Sequence, residues 1–511
     1  MSNAEQVAPA QGASPIASAA ATSGPKPRTG PIKNFGLLAA TAALIAIVIL
    51  PQPAGLSIAG QHMLGIFAFA VIVWMTEAVD YVASSIILTA LIAFLLGFAP
   101  DPARPDHILG TSRALSAAMD GFTNPAVALI AASLVIATAM AITGLDKRVA
   151  FVVISLIGTS RSRLLLGTII VMAVLAFFVP TASARVACLV PIILGMISAL
   201  GIDKHSRLAG MLMMSIVYLS LIWAIGIETG AAQNVYVNAL MDRTIHVRIS
   251  WIDWLVVGAP YSIAMSVALY FVLMKMMAPP AAEAAVVGSG HLGPAPGPMT
   301  TDEIKLLVFS LILLGFWATE DKLHSFDSST VAVAAVALMF VPKIGVIDWK
   351  QVQSRIPWGI LIQLSVGVGL GTALLKTGAA AWLAAYVVDE FGVQQLSMFA
   401  ILAVLWLFLI LIHLGFSSGA AMATTMIPVM MSVLQQAQLP TLKVAGMTML
   451  LTFVTSVGWI LPINGPQNML AFGTDTFEAR DFIRVGIVLT VIAYVMLLLF
   501  AATYWRWLGY V

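Results

Sequence analysis

Residues 208–227 contain no charged side chain, and similar apolar runs fill the chain from residue 35 onward. A helix needs roughly 20 mostly apolar residues to cross the hydrocarbon core of a bilayer. Within lipid every backbone amide and carbonyl must be satisfied inside the protein, so such runs can only be helices or parts of a closed barrel. A barrel would show alternating segments of about ten residues, and these runs do not alternate. Composition agrees, with 60% hydrophobic residues, 9% charged residues and a mean hydropathy of +0.99, whereas soluble domains carry about 25% charge. The chain therefore reads as an all-α polytopic membrane protein of about 11 spans, and its partner is first of all a lipid bilayer.

Two places break the pattern. Runs 164–180 and 186–200 are separated only by T-A-S-A-R, and runs 396–414 and 420–435 are separated only by F-S-S-G with its flanking residues. Gaps that short suit the tips of re-entrant helical hairpins, predicted here over 164–200 and 396–438. Residues 1–33, rich in Ala, Ser, Pro and Gly, read as a disordered cytoplasmic tail. The Pro/Gly-rich stretch 278–302 reads as a cytoplasmic linker dividing a first half, 34–277, from a second, 303–511.

The halves repeat one another. N-P-A-V-A-L-I from Asn124 matches I-P-W-G-I-L-I from Ile356, and A-I-T-G at 141–144 matches L-K-T-G at 375–378. Likewise T-A-S-A-R-V-A-C-L-V-P-I at 181–192 matches S-G-A-A-M-A-T-T-M-I-P-V at 418–429, and G-A-A-Q-N-V at 230–235 matches N-G-P-Q-N-M at 464–469. The offsets are 232, 234, 237 and 234 residues, in order along the chain. With the first span running outward and both hairpins re-entrant, Lys and Arg divide 16 inside to 8 outside, with Arg185 in the core. That model places the amino terminus in the cytoplasm of a cell (inner) membrane protein. It gives the two halves inverted topology, with an inner first hairpin and an outer second one.

Paired interruptions at matching places in two halves point to the binding site of a secondary transporter. Helix N-termini offer free amides to anions and C-termini offer free carbonyls to cations. The expected lining is hydroxyl and amide: Thr181, Ser183, Ser417, Ser418, Thr229, Gln233, Asn234, Asn464, Gln467 and Asn468, with Ala182 and Gly419 as the further substrate-binding candidates at the two tips. A charge at the bilayer centre costs at least about 2.5–3.5 kcal/mol on insertion scales, so Arg185 needs a reason. It is the candidate partner of an anionic substrate through paired hydrogen bonds, with a structural pair to Glu228 or Glu77 as the other reading. Glu228 could hold a cation, carry a proton or pair with Arg185. Glu77 and Asp80 suit a structural connection between spans, His413 a satisfied helix histidine, and Cys188, the single cysteine, a buried inert thiol.

Several signals mislead. G-F-S-S-G at 415–419 matches a hydrolase elbow, yet that chemistry needs a later histidine and none follows His413. G-V-G-L-G-T at 367–372 lacks the lysine of a phosphate loop and suits close helix packing. An enzyme is thus not expected, no cofactor is implied, and the near-balanced net charge of +2 carries no signature of a nucleic-acid partner.

The tip and break motifs resemble the divalent anion/sodium symporter family of di- and tricarboxylate carriers, over roughly residues 35–508. Family members carry Ser-Asn-Thr at each tip and a Pro-Asn-ending motif in the unwound helix that follows. Thr181-Ala182-Ser183, Ser418-Gly419-Ala420, A-A-Q-N at 231–234 and G-P-Q-N at 465–468 stand at those places, and T-A-S-A-R looks most like the S-N-T-A-R form. The tip asparagines are replaced by Ala182 and Gly419. The resemblance implies a homodimer, an elevator mechanism and a small anionic substrate. It also implies Na⁺ as coupling ion, with Ser183, Thr229, Gly230, Ser418 and Asn464 as candidate sodium ligands. Sodium-independent exchange, or proton coupling through Glu228, remains the alternative.

Overall fold

The structure is a computed structural model describing residues 31–101, 104–157, 160–278, 297–320, 322–390, 392 and 395–511. It is helical almost throughout, and eight of the described helices are long and apolar enough to cross a membrane. The first helix begins at Pro31, so residues 31–33, expected to belong to the tail, are helical. The rest of that tail and most of the 278–302 linker lie outside the described residues. A departure from the all-α expectation is a small antiparallel pair, Pro100–Asp101 with Arg104–Ile108, following the helix that ends near Leu96.

The same series of elements occurs in each half. Pro125–Thr143 corresponds to Trp358–Lys376, followed by Leu145–Ile157 and Ala379–Glu390. Next come the hairpins, Arg161–Phe178 with Ala182–Ala199 and Met398–His413 with Gly419–Gln436. The broken helices follow: Arg207–Gly226 and Ala232–Ile245 in the first half, Thr441–Val454 and Pro466–Phe472 in the second. A long helix closes each series, Trp251–Met276 and Ala479–Ala502. The hairpin arms are longer than the half-helices expected, at 18, 18, 16 and 18 residues.

Local chemistry explains the shared boundaries. Asn124 caps the first series by accepting the Ala126 amide at 2.9 Å, with Pro125 in the first helical turn, where a missing amide costs nothing. Both T-G pairs end their helices the same way, with Gly144 at φ 79° and Gly378 at φ 77°. At the tips, Thr181 and Ser418 accept the amides of Ala184 and Ala421, starting the second arm of each hairpin. Pro191 and Pro428 lie inside those arms.

Burial follows from patterning. Helix Arg207–Gly226 is apolar on every face, and all its residues from Leu208 onward are buried, as expected for a helix with no polar stripe to offer solvent. The halves then interlock. The short helix Pro466–Phe472 of the second half packs on hairpin arm Ala182–Ala199 of the first. Reciprocally, Ala232–Ile245 packs on hairpin arm Gly419–Gln436. Gly144→Ala and Gly378→Ala are each expected to lower stability by about 1 kcal/mol, the cost of a side chain in the left-handed region. Thermal unfolding of the purified protein in detergent checks this, and space does not confound it, because nothing lies within 4 Å of either added Cβ.

Candidate functional site

Where a helix unwinds, its carbonyls lose their intrahelical donors. Both breaks answer this in one way. Asn234 donates its Nδ2 to the carbonyls of Ala224 (2.7 Å) and Ile227 (3.1 Å). Asn468 donates to those of Gly458 (2.9 Å) and Leu461 (3.2 Å). The partners lie ten and seven residues upstream in each case, so the repeat read from sequence extends to individual hydrogen bonds. The Oδ1 atoms of both asparagines are buried without a partner.

The hairpin tips are fastened to the breaks by unlike residues. Arg185 is fully buried. Its Nη1 donates to Val179 O (2.6 Å) and Gly230 O (2.9 Å), and its Nη2 donates to Ser220 O (2.6 Å). One guanidinium thus joins the first tip to the first break and to the helix before it, while its Nε stays without a partner. In the second half Asn464, in the break itself, does the equivalent work. Its Nδ2 donates to His413 O and Phe416 O, both at 2.9 Å, and its Oδ1 accepts the Leu461 amide at 3.0 Å.

The tips and breaks then cross over between halves. Ser183 at the first tip donates to Gln467 Oε1 of the second break at 3.4 Å. Gln233 of the first break donates to Ser456 at 3.2 Å and stands 3.3 Å from where a Cβ on Gly419 would lie. Gly419 has no room for one, since that Cβ would also lie 2.3 Å from the Thr455 carbonyl oxygen. Ser417 hydrogen-bonds the hydroxyl of Tyr81, on the early helix Tyr81–Leu91. The structure therefore pairs Ser183 with Gln467, Gln233 with Ser456 beside Gly419, and Ser417 with Tyr81, with Thr181, Ala182 and Ser418 at the starts of the same hairpin arms.

The candidate sodium ligands are largely engaged. Gly230 O accepts Arg185, Thr229 Oγ1 accepts the Trp251 indole at 3.1 Å, and Ser418 Oγ accepts Ala421 N. Asn464 is committed on both ends. Thr229 also lines a small, partly open pocket of about 10 Å³ with Ser133, Pro180 and Ser310, room for about one water. Glu228 is buried, with Oε1 accepting Asn238 Nδ2 at 2.6 Å and Oε2 without a partner.

The salt bridge considered between Arg185 and Glu228 or Glu77 does not form. Four ion pairs occur among the described residues, and none includes these three. The guanidinium has bonded carbonyls instead. The structural readings fare better. Asp80 caps a helix through the amides of Val82 and Ala83, Glu77 ends one in the left-handed region, and His413 is buried with Nδ1 facing Val454 O at 3.2 Å. Tyr81 was missed because its contact spans 336 residues with no local signal. Asn238 was missed because its pattern is that of an ordinary helix amide.

Comparison with known proteins fits this architecture. The sodium:sulfate symporter transmembrane region matches residues 32–511. A "membrane protein" of Cupriavidus necator is 50% identical, covering 94% of this chain and 93% of that one. The sodium-dependent dicarboxylate transporter SdcS of Staphylococcus saprophyticus is 26% identical over 91% of this chain and 90% of its own. The citrate/succinate antiporter of Escherichia coli is 24% identical over 91% and 96%. Among solved structures, the Alcanivorax borkumensis YdaH transporter shares the fold with a TM-score of 0.54 at 13% identity, over 85% of this chain and 98% of that one. The chain is a multi-pass membrane transporter, not an enzyme, and belongs to the sodium:sulfate symporter family.

Proposed function

We propose that the chain is a secondary active carrier of di- or tricarboxylate anions working by elevator-type alternating access. The observation that carries this reading is the crossed junction: first tip to second break through Ser183 and Gln467, second tip to first break through Gly419 and Gln233. With Arg185 and Asn464 stapling tip to break within each half, the four interrupted segments form one block able to move as a unit. The two halves lie oppositely inserted in the cell membrane, the amino terminus is cytoplasmic, and two copies pair through scaffold helices as a homodimer. Hydroxyls and amides at the junction receive the carboxylates, and the buried charge of Arg185 holds the block electropositive. Relatives of both coupling types, a sodium-dependent dicarboxylate transporter and a citrate/succinate antiporter, support the substrate class.

Sodium coupling is the reading that the family resemblance brings. A specific observation favours the other, sodium-independent transport. The carbonyls of Val179, Gly230 and Ser220, oxygens suited to a hard cation, already bind the guanidinium of Arg185. A tethered cation stands where a diffusible one would be held.

The test is uptake of labelled succinate, citrate, 2-oxoglutarate or sulfate into proteoliposomes, with counter-substrate, a Na⁺ gradient or a pH gradient imposed singly. Internal succinate is expected to drive carboxylate uptake, and replacing Na⁺ by choline is expected to change its rate by less than about twofold, since no cation binding is linked to transport. Uptake strictly dependent on Na⁺ would restore sodium coupling; sulfate uptake without carboxylate uptake would remove the substrate class. Gln467→Leu is expected to reduce uptake by about tenfold with the melting temperature little changed, the loss of one polar contact to the substrate junction. Arg185→Met behaves differently. It removes the donor to the Val179 and Gly230 carbonyls and is expected to cost on the order of 3 kcal/mol of stability, read as lost monodisperse yield on size-exclusion chromatography.

A further inference from the structure

The stretch M-D-R-T-I-H-V-R at 241–248 places two arginines where the first broken helix ends. Arg243, in the last turn of helix Ala232–Ile245, donates to Asp120 at 2.7 Å, and Arg248, in the connection that follows, donates to Glu320 at 2.6 Å. Asp120 opens the turn Asp120–Thr123 ahead of helix Pro125–Thr143, and Glu320 ends helix Thr301–Thr319. Neither acid belongs to a hairpin or a break. Both ties therefore run from an interrupted segment to the helices around it. The other two ion pairs among the described residues, Arg113–Asp101 and Arg148–Glu303, include no interrupted segment.

Each tie is anchored on its own side. Arg248 precedes Ile249, whose amide donates to Asn238 Oδ1 at 2.9 Å and whose carbonyl accepts Asn238 Nδ2 at 2.7 Å, so the connection is pinned to the helix it leaves. Glu320 is buried and accepts both the amide (3.2 Å) and the hydroxyl of Ser328, which fixes it to the start of helix Ser328–Met339. The arginine ends differ. Their side chains are 29% and 38% exposed, so on separation each guanidinium passes into water, while Glu320 keeps its two Ser328 donors. Arg185, fully buried and bonded within the block, has no such exit. Beside the Arg248 tie, Trp251 stacks at 6.0 Å on Trp317 of helix Thr301–Thr319 while donating to Thr229 in the break.

We propose that Arg243–Asp120 and Arg248–Glu320 form a two-point latch, which holds the moving block against the scaffold in the position seen here and opens in each transport cycle. This rests on the elevator reading and adds what fixes the block in one of its positions. An ion pair needs its charged atoms within about 4 Å of each other. A slide of even one helical turn, about 5.4 Å, exceeds that reach, so both ties break when the block travels. Contacts made in only one of two positions bias the equilibrium between them. A partly exposed pair shifts such an equilibrium by only about two- to fivefold, enough to favour one position without trapping the block there. Two arginines on one pinned segment, meeting acids from two different scaffold elements, also fix the register in which the block comes to rest.

The experiment uses the full-length protein in liposomes, spin-labelled at Ile108→Cys on the scaffold strand Arg104–Ile108 and at Leu442→Cys on the broken helix Thr441–Val454. Both positions are exposed, and Cys188→Ser leaves these as the only thiols. Dilution with unlabelled protein restricts the readout to distances within one chain. Electron–electron dipolar spectroscopy is expected to give two distances. Asp120→Asn combined with Glu320→Gln removes the scaffold charges and keeps hydrogen-bonding groups in their place. It is expected to move weight away from the distance of this structure by about threefold or more. Arg113→Gln breaks a tie that lies within the scaffold and is expected to leave the weights unchanged. Two distances whose weights ignore the double substitution overturn the latch and leave the elevator reading standing, whereas one distance in every sample overturns both. An equal shift with Arg113→Gln also overturns the latch, because loss of any surface pair would then suffice. If the double variant does not fold, Arg243→Gln, whose pair is partly exposed on both sides, decides by the same shift at about twofold; unmoved weights there discard the latch.

Discussion

Everything at the centre of this transporter follows from one requirement: a backbone that leaves its helix away from water must find hydrogen-bond partners within the protein. Two breaks and two hairpin tips together free many carbonyls in a small volume. Asn234 and Asn468 each take two of them, Arg185 takes two and adds the in-helix carbonyl of Ser220, and Asn464 takes two more at short distance. The polar side chains that looked like a ligand cage are, in large part, the means by which interrupted helices survive. The two glutamines and the tip hydroxyls are the groups that the proposed anion site draws on, whereas the bare Oδ1 atoms of Asn234 and Asn468 are buried acceptors.

Much of this was legible in the sequence, because duplication writes the same local solution twice. Gly144 and Gly378, Thr181 and Ser418, Pro191 and Pro428, and the two Q-N pairs fall at matching places in the structure, and each has a backbone reason that acts within a few residues. Charge and amide chemistry were less legible. The sequence shows that Arg185 must be satisfied, but a carboxylate and a cluster of carbonyls satisfy guanidinium equally well, and only folding decides which is near. Asn464 reads as a ligand by type, whereas its geometry makes it a staple. The contact between Tyr81 and Ser417, and the small strand pair after Leu96, depend on distant chain packing or on a turn with little signature.

The two halves also show how copies diverge without losing their architecture. Position 230 is glycine and its counterpart 464 is asparagine; position 185 is arginine and its counterpart at the second tip is Met422. The fastening has moved from hairpin to break between one half and the other, and the charge has stayed on one side. A symmetric cage would treat both ends of a dicarboxylate alike. Here the buried guanidinium belongs to one half alone, and Met422 at the matching place carries no charge.

Gly419 draws out a last point. A Cβ on it would lie 2.3 Å from the Thr455 carbonyl oxygen and 3.3 Å from the Gln233 amide nitrogen, so the second tip is closed by bare backbone. Any side chain at 419 must therefore push the second tip off the strip of backbone near Thr455, so the seating of this hairpin depends on a single hydrogen atom standing where other residues carry carbon.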